Sequence, residues 1–183
     1  GRRPVGTYTI RADLMRHFFY RKVVVSDCAA MLITTPQLGV PAFATAEDGV
    51  WKLARSEDGV EDAIHHDGQF YSVTYSGVVE VWQRDAESGE YTSTAVTPKL
   101  AIEEGGSPCH RKYLAIAPGG RLMVVLKYAQ VTKGKDLYGR YRWTCSFKVH
   151  VIGDDGQWKE TRDIGNLALF VGVNNSLCVP TSG

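Results

Sequence analysis

The stretch HHDGQFYSVTYSGVVEVW, residues 65–82, decides the fold. Two runs of alternating apolar and polar residues, Phe70–Thr74 and Val78–Trp82, flank a corner at Tyr75-Ser76-Gly77. A period of two marks a strand with one face turned to a core. A third strand-like piece, Asp62–His66, enters through Asp67-Gly68. Asp-Gly supplies the positive backbone dihedrals that a two-residue hairpin turn demands, and Gly77 can do the same at the next corner. Three strands joined by such tight turns form an antiparallel meander.

Outward from this meander the chain reads as strand and turn. Towards the N-terminus lie Arg21–Ser26, Met31–Thr35, Ala42–Ala46 and Trp51–Ala54, the last two joined at Asp48-Gly49. Residues 10–19 are the only stretch that reads as a helical turn. Towards the C-terminus, Tyr91–Thr97 closes the meander and 103–108 reads as a loop. Lys112–Ala117 and Arg121–Tyr128 form a hairpin across Pro118-Gly119-Gly120. Residues 129–141 read as a long exposed loop, and Arg142–Ile152 as the longest strand. Trp158, Ala168–Val173 and Ser176–Val179 complete the series. About fourteen short strands without intervening helices exclude a parallel α/β arrangement and leave a sandwich, a barrel or a propeller. At about 40–45 residues per four-stranded blade, the length holds roughly four blades. Trp51, Trp82 and Trp158 each stand shortly after a glycine-containing turn, a weak repeat. Large aromatics dominate the burial energy of β cores, so these tryptophans, Trp143, Phe170 and Val171 are expected inside.

Composition agrees with one globular domain: 183 residues, 44% hydrophobic, 22% charged, net charge +1. Charge is unevenly placed. Residues 110–142 hold eight Lys and Arg against Asp136, and residues 47–63 hold six carboxylates against Lys52 and Arg55. The four cysteines are scattered without metal-ligand spacing, which points to an intracellular, reducing compartment, cytoplasm or nucleus before an organelle. No run reaches the roughly 18 apolar residues of a membrane span.

Catalytic signals are sparse. The chain contains no G-x-S-x-G, H-E-x-x-H or phosphate-binding glycine loop. His65-His66-Asp67 has the residue types of a metal or general-base cluster, but neighbours on a strand point to opposite faces, and Asp67 suits the turn better. His17 and His150, beside aromatic or β-branched residues, read as partly buried, satisfied imidazoles. The expectation is therefore no enzyme, no cofactor and no metal. The best recognition feature is AQVTKGKDLYGRY, residues 129–141, with Lys133, Lys135, Tyr138, Arg140 and Tyr141 as the candidate partner-binding residues. Tyr and Arg are enriched at interface hot spots, and binding residues concentrate on loops held by rigid scaffolds.

Five segments carry a resemblance: RADLMRHFFYRKVVVS (11–26), AFATAEDGVWKLA (42–54), DAIHHDGQFYSVTYSGVVEVW (62–82), KYLAIAPGGRLMVVLKY (112–128) and FKVHVIGDDGQWKETRDIGNLALFVGVNNSLCV (147–179). In order and spacing they resemble the plant family of kelch-like β-propellers that commonly follow an F-box, among them the KIB proteins of brassinosteroid signalling. The family-motif positions are His66, Asp67, Gly68, Phe70, Tyr71, Trp82, Gly120, Phe147, Trp158, Phe170, Gly172 and Asn175. The resemblance implies an all-β chain of four-stranded antiparallel blades, a single propeller-type domain over 1–183. It reads as a truncated propeller with no F-box in the chain. It also implies a protein-interaction module like the substrate-binding propeller of plant F-box receptors. Its partner would be a protein, a kinase by family analogy, with a Skp–Cullin scaffold engaged where the full-length protein supplies an F-box. Open blade edges invite self-association. The alternatives are a nucleic-acid-binding propeller using the basic 110–142 region, or an organelle-targeted relative.

Overall fold

In the computed structural model, residues 19–36, 38–102, 109–135 and 141–181 are described, and for 109–110, 129–135 and 141–145 the backbone alone. These residues form fourteen strands and no helix. The helical turn read at 10–19 falls almost wholly outside them, as do His17, the 103–108 loop, Tyr138 and Arg140.

The first sheet is β1 (Tyr20–Val25), β2 (Ala29–Thr34), β3 (Ala42–Thr45) and β4 (Lys52–Leu53), paired in chain order. The second is β5 (Val60–His66), β6 (Gln69–Thr74), β7 (Val79–Arg84) and β8 (Tyr91–Ala95), again in chain order. The third contains β9 (Cys109–Ile116), β10 (Leu122–Lys135), β11 (Tyr141–Ile152) and β12 (Trp158–Thr161). β13 (Leu167–Val171) and β14 (Ser176–Pro180) pair as a fourth sheet, which holds two strands among the described residues rather than the four expected of a blade. Every pairing is antiparallel.

The turn chemistry of the deciding stretch holds. Asp67 and Gly68 both have positive φ, 46° and 77°, and close the hairpin in which His66 faces Gln69. Both central residues of a type I′ turn need this conformation. Gly77, at φ 86°, turns the next corner so close to Leu100 that a Cβ there would lie 2.8 Å from the leucine Cβ.

Between sheets, β1 and β2 meet β5, β5 and β6 meet β9, and β9 meets β14. The first strand of each four-stranded sheet is therefore innermost, and the later strands fan outward. Three apolar clusters fill the gaps. Met31, Ile33, Phe43, Phe70 and Trp82 pack between the first and second sheets. Val73, Val79, Leu100, Leu114 and Leu126 pack between the second and third, and Ala115, Met123 and Cys178 between the third and fourth.

The tryptophans divide. Trp82 is buried and donates from Nε1 to Ser72 Oγ (2.8 Å), and the half-buried Trp158 donates from Nε1 to the Pro98 carbonyl (2.8 Å). Trp51, expected inside, is 43% exposed just before the two-residue β4, where no further described strand covers it. Phe170, also expected in the core, is 61% exposed. It pairs with Leu177 on the face of the fourth sheet opposite Leu169 and Cys178, and no described sheet packs there. Val171 is only partly buried. Phe147, opposite Lys127, is 51% exposed.

Candidate interaction surfaces and the inner charge network

Charged side chains gather where the innermost strands meet. Lys22 on β1 and Asp62 on β5 pair at 2.8 Å, with side chains 2% and 0% exposed. The other Asp62 oxygen accepts the Leu114 N–H of β9 (2.9 Å). Beside it, Glu61 accepts from Lys112 twice, from Nζ at 2.9 Å and from the backbone N–H at 3.1 Å. Two adjacent carboxylates of β5 thus tie three sheets together. Each inner strand takes a register shift at this level: at Arg21 in β1, at Glu61 in β5 and at His110 in β9. A bulge re-aims the side chains around it, which lets consecutive residues such as Glu61 and Asp62 both point inward. Burial pushes the Asp62 carboxyl up, against the Lys22 ammonium and the Leu114 N–H that favour its ionised form. Each charge faces an opposite one, so the network serves as a clasp between sheets.

A cleft of about 650 Å³ opens between the outer strands of the first two sheets, lined by residues 52–55, Glu57 and residues 90–93. β4 and β8, its walls, are both edge strands among the described residues. Glu80 sits buried behind Ser93 and accepts from Ser56 Oγ (3.4 Å) and Ser72 Oγ (3.5 Å). Desolvation pushes its carboxyl up, opposed by the Ser93, Ser56 and Ser72 hydroxyls, and the nearby Asp58 charge adds to the rise.

The recognition loop read at 129–141 is mostly strand. β10 runs through Lys135 at 14 residues and β11 starts at Tyr141, so β10 exceeds the 12-residue β11 that was expected to be longest. Their ladder continues through Ala129–Cys145, Val131–Trp143 and Thr132–Arg142, then slips to Lys135–Tyr141. Long antiparallel backbone pairing overrides the polar, glycine-bearing composition that reads as a loop. Among the described residues β9 pairs β10 only as far as Tyr128, and β12 pairs β11 only from Val149. A two-stranded ribbon therefore runs beyond the sheet. Lys133, Lys135 and Tyr141 lie on it, while Tyr138 and Arg140 fall outside the described residues.

Other family-motif positions lie in turns and side-chain contacts. His65 packs against Phe70, ring centroids 5.1 Å apart, while His66 Nε2 lies 3.3 Å from Asp67 on the surface, so the two imidazoles do not converge. Tyr71 donates to Gln69 Oε1 (3.2 Å), Gly120 turns the β9–β10 hairpin at φ 84°, and Asn175 Oδ1 accepts the Ser176 N–H. A Cβ at Gly172 would press on the Asn175 carbonyl at 3.3 Å. His150, read as a satisfied imidazole, is buried with Nδ1 lacking a hydrogen-bond partner. Its ladder partners are Val124 on β10 and Glu160 on β12. Burial pushes it below the ordinary imidazole range. Among the described residues no group of three or more His, Cys, Asp or Glu is placed to hold a metal ion, and no helix is long and apolar enough to cross a membrane.

Sequence reasoning missed the clasp. Lys22, Glu61, Asp62 and Lys112 stand within strand runs, and their partners lie 40 and 51 residues away. The one local trace was two or more charges together at the start of an apolar strand.

Antiparallel sheets that meet at their first strands and spread outward, with apolar layers between them, are the blades of a β-propeller. The chain belongs to the KIB1-4 beta-propeller family, whose model matches residues 4–183. No curated protein and no solved structure matches it. Membership of a β-propeller family suggests a protein-interaction module.

Proposed function

We propose that the chain is a non-catalytic binding module in which the clasped sheets hold out the β10–β11 ribbon for a protein partner. The ribbon carries this reading. Among the described residues its strands outrun both neighbours, and the segment 131–143 combines Lys133, Lys135, Arg140 and Arg142 with Tyr138, Tyr141 and Trp143. The arginines, tyrosines and tryptophan among them are typical of interface anchors. The likeness to KIB-type propellers supports the finer role of a substrate receptor, in which an F-box of the full-length protein docks on a Skp–Cullin ligase while the propeller holds the target, a kinase by family analogy. The chemistry is proximity. A nucleic-acid interface over 110–142 is less well supported, because Lys112 in that segment is enclosed in the clasp.

Affinity capture of the full-length protein from plant tissue, beside a variant with residues 131–143 replaced by Asn-Gly, tests this. The expected result is one abundant protein partner, with Skp and Cullin subunits, that the shortened ribbon loses at unchanged melting temperature. Capture of RNA alone, or a partner indifferent to the ribbon, would overturn it.

A further inference from the structure

Every sheet has two faces, and the three apolar layers use them in one order along the chain. Met31, Ile33 and Phe43 of the first sheet pack on Phe70 and Trp82 of the second. The opposite face of the second sheet, with Val73 and Val79, meets Leu114 and Leu126 of the third. The opposite face of the third, with Ala115, Met123 and Val149, meets Leu169 and Cys178 of the fourth. This order leaves one face over at each end of the array, and both are apolar.

On the remaining face of the fourth sheet, Phe170 and Leu177 pair across β13 and β14 and stand 61% and 52% exposed. Ala168 and Val179 continue the same face. At the other end of the array the first sheet carries a groove of about 280 Å³, where β1 turns into β2. Its apolar lining includes Val25, Ala30, Ala44, Ala46 and Trp51, and Asp27 is the one charged residue there. Strand alternation sets these five on the face opposite Met31 and Phe43. Val25 is 66% exposed at the groove, and the small alanines leave room for a large side chain. Trp51 and Phe170, the two aromatics expected inside and found exposed, thus stand at opposite ends of the array.

A protruding apolar side chain at one end and an apolar groove at the other are the two halves of a head-to-tail contact. A partner of different sequence would match one end alone, whereas ends that match each other select a second copy of the same chain. We propose that the chain associates head to tail with a second copy, with Phe170 of one copy entering the groove beside Trp51 of the other. The two remaining faces then form a further apolar layer like the three within the chain. This contact does not depend on the ribbon.

The test is sedimentation equilibrium of the 183-residue chain over a range of micromolar concentrations, where reversible association is expected. Val25→Asp and Phe170→Asp, both at exposed positions, place a carboxylate in the new layer from opposite sides. Each variant alone is expected to weaken association by at least about a hundredfold, at an unchanged circular dichroism spectrum. Mixed in equal amounts, the two variants should associate again, because Phe170→Asp keeps its groove and Val25→Asp keeps its phenylalanine. A chain that stays monomeric at every concentration would overturn the proposal. So would association indifferent to both substitutions, or variants that do not rescue each other, as in a contact between two identical faces.

Discussion

Asp62 has no exposed surface, yet it joins three strands through one ammonium and one backbone N–H. Removing one member of a buried pair leaves the other charge without compensation. Asp62→Ala should therefore cost about 3–5 kcal/mol in urea unfolding. A Lys22→Met/Asp62→Leu double variant should recover part of this, with the remainder fixed by the unpaired Leu114 N–H. His150 gives a separate prediction with a definite sign. Its burial lowers the folded pKa, so the unfolded chain takes up a proton that the folded chain refuses. Stability should fall as pH drops through 6.5, the ordinary imidazole value, and His150→Phe should flatten that part of the profile. Glu160, paired with Lys148 at 3.0 Å, is held below the usual carboxylate range and acts lower, below 4.5. Unfolding midpoints at pH 7.5, 6.5 and 5.5 for both proteins separate the two windows. None of this was legible from the residues alone. A lysine or aspartate inside a strand run reads as a solvated side chain, and only the fold brings Lys22 to Asp62.

At the scale of elements the sequence was most informative where backbone chemistry is local. Asp67-Gly68 and Gly77 need conformations that few residues adopt, so their identity announced the corners. Gly77→Ala should cost about 2–4 kcal/mol, since it combines left-handed backbone strain with a Cβ driven into Leu100. Thermal unfolding of that variant against Gly68→Ala, whose Cβ would meet open space, isolates the packing part. Where structure depends on distant pairing, the reading failed. Val131-Thr132-Lys133-Gly134-Lys135 contains loop-like residues, yet the ladder to β11 keeps it extended. The exposure of Phe170 was equally hidden, because burial of a strand face depends on whether another sheet lies against it. The cleft between β4 and β8 was hidden for the same reason, since it exists only where two sheets come together.

For the whole molecule, the alternation of strands and turns established the all-β class, while the family likeness supplied the blade arrangement. The apolar material is divided into three layers, each confined to one pair of neighbouring sheets. The clasp of Lys22, Asp62, Glu61 and Lys112 crosses the first three sheets and does not include the fourth. Amides of β13 and β14 should therefore exchange through openings of lower free energy than those of β5, β9 and β10, which should exchange only when the whole chain unfolds. Native-state exchange over a series of low urea concentrations reads this directly, and a single common opening would contradict it. The same division has a mechanical consequence. Pulled by its ends, or threaded from the C-terminus into an unfoldase, the chain should give way in two force drops, a small one as the last pair of strands peels off and a larger one as the three tied blades rupture together.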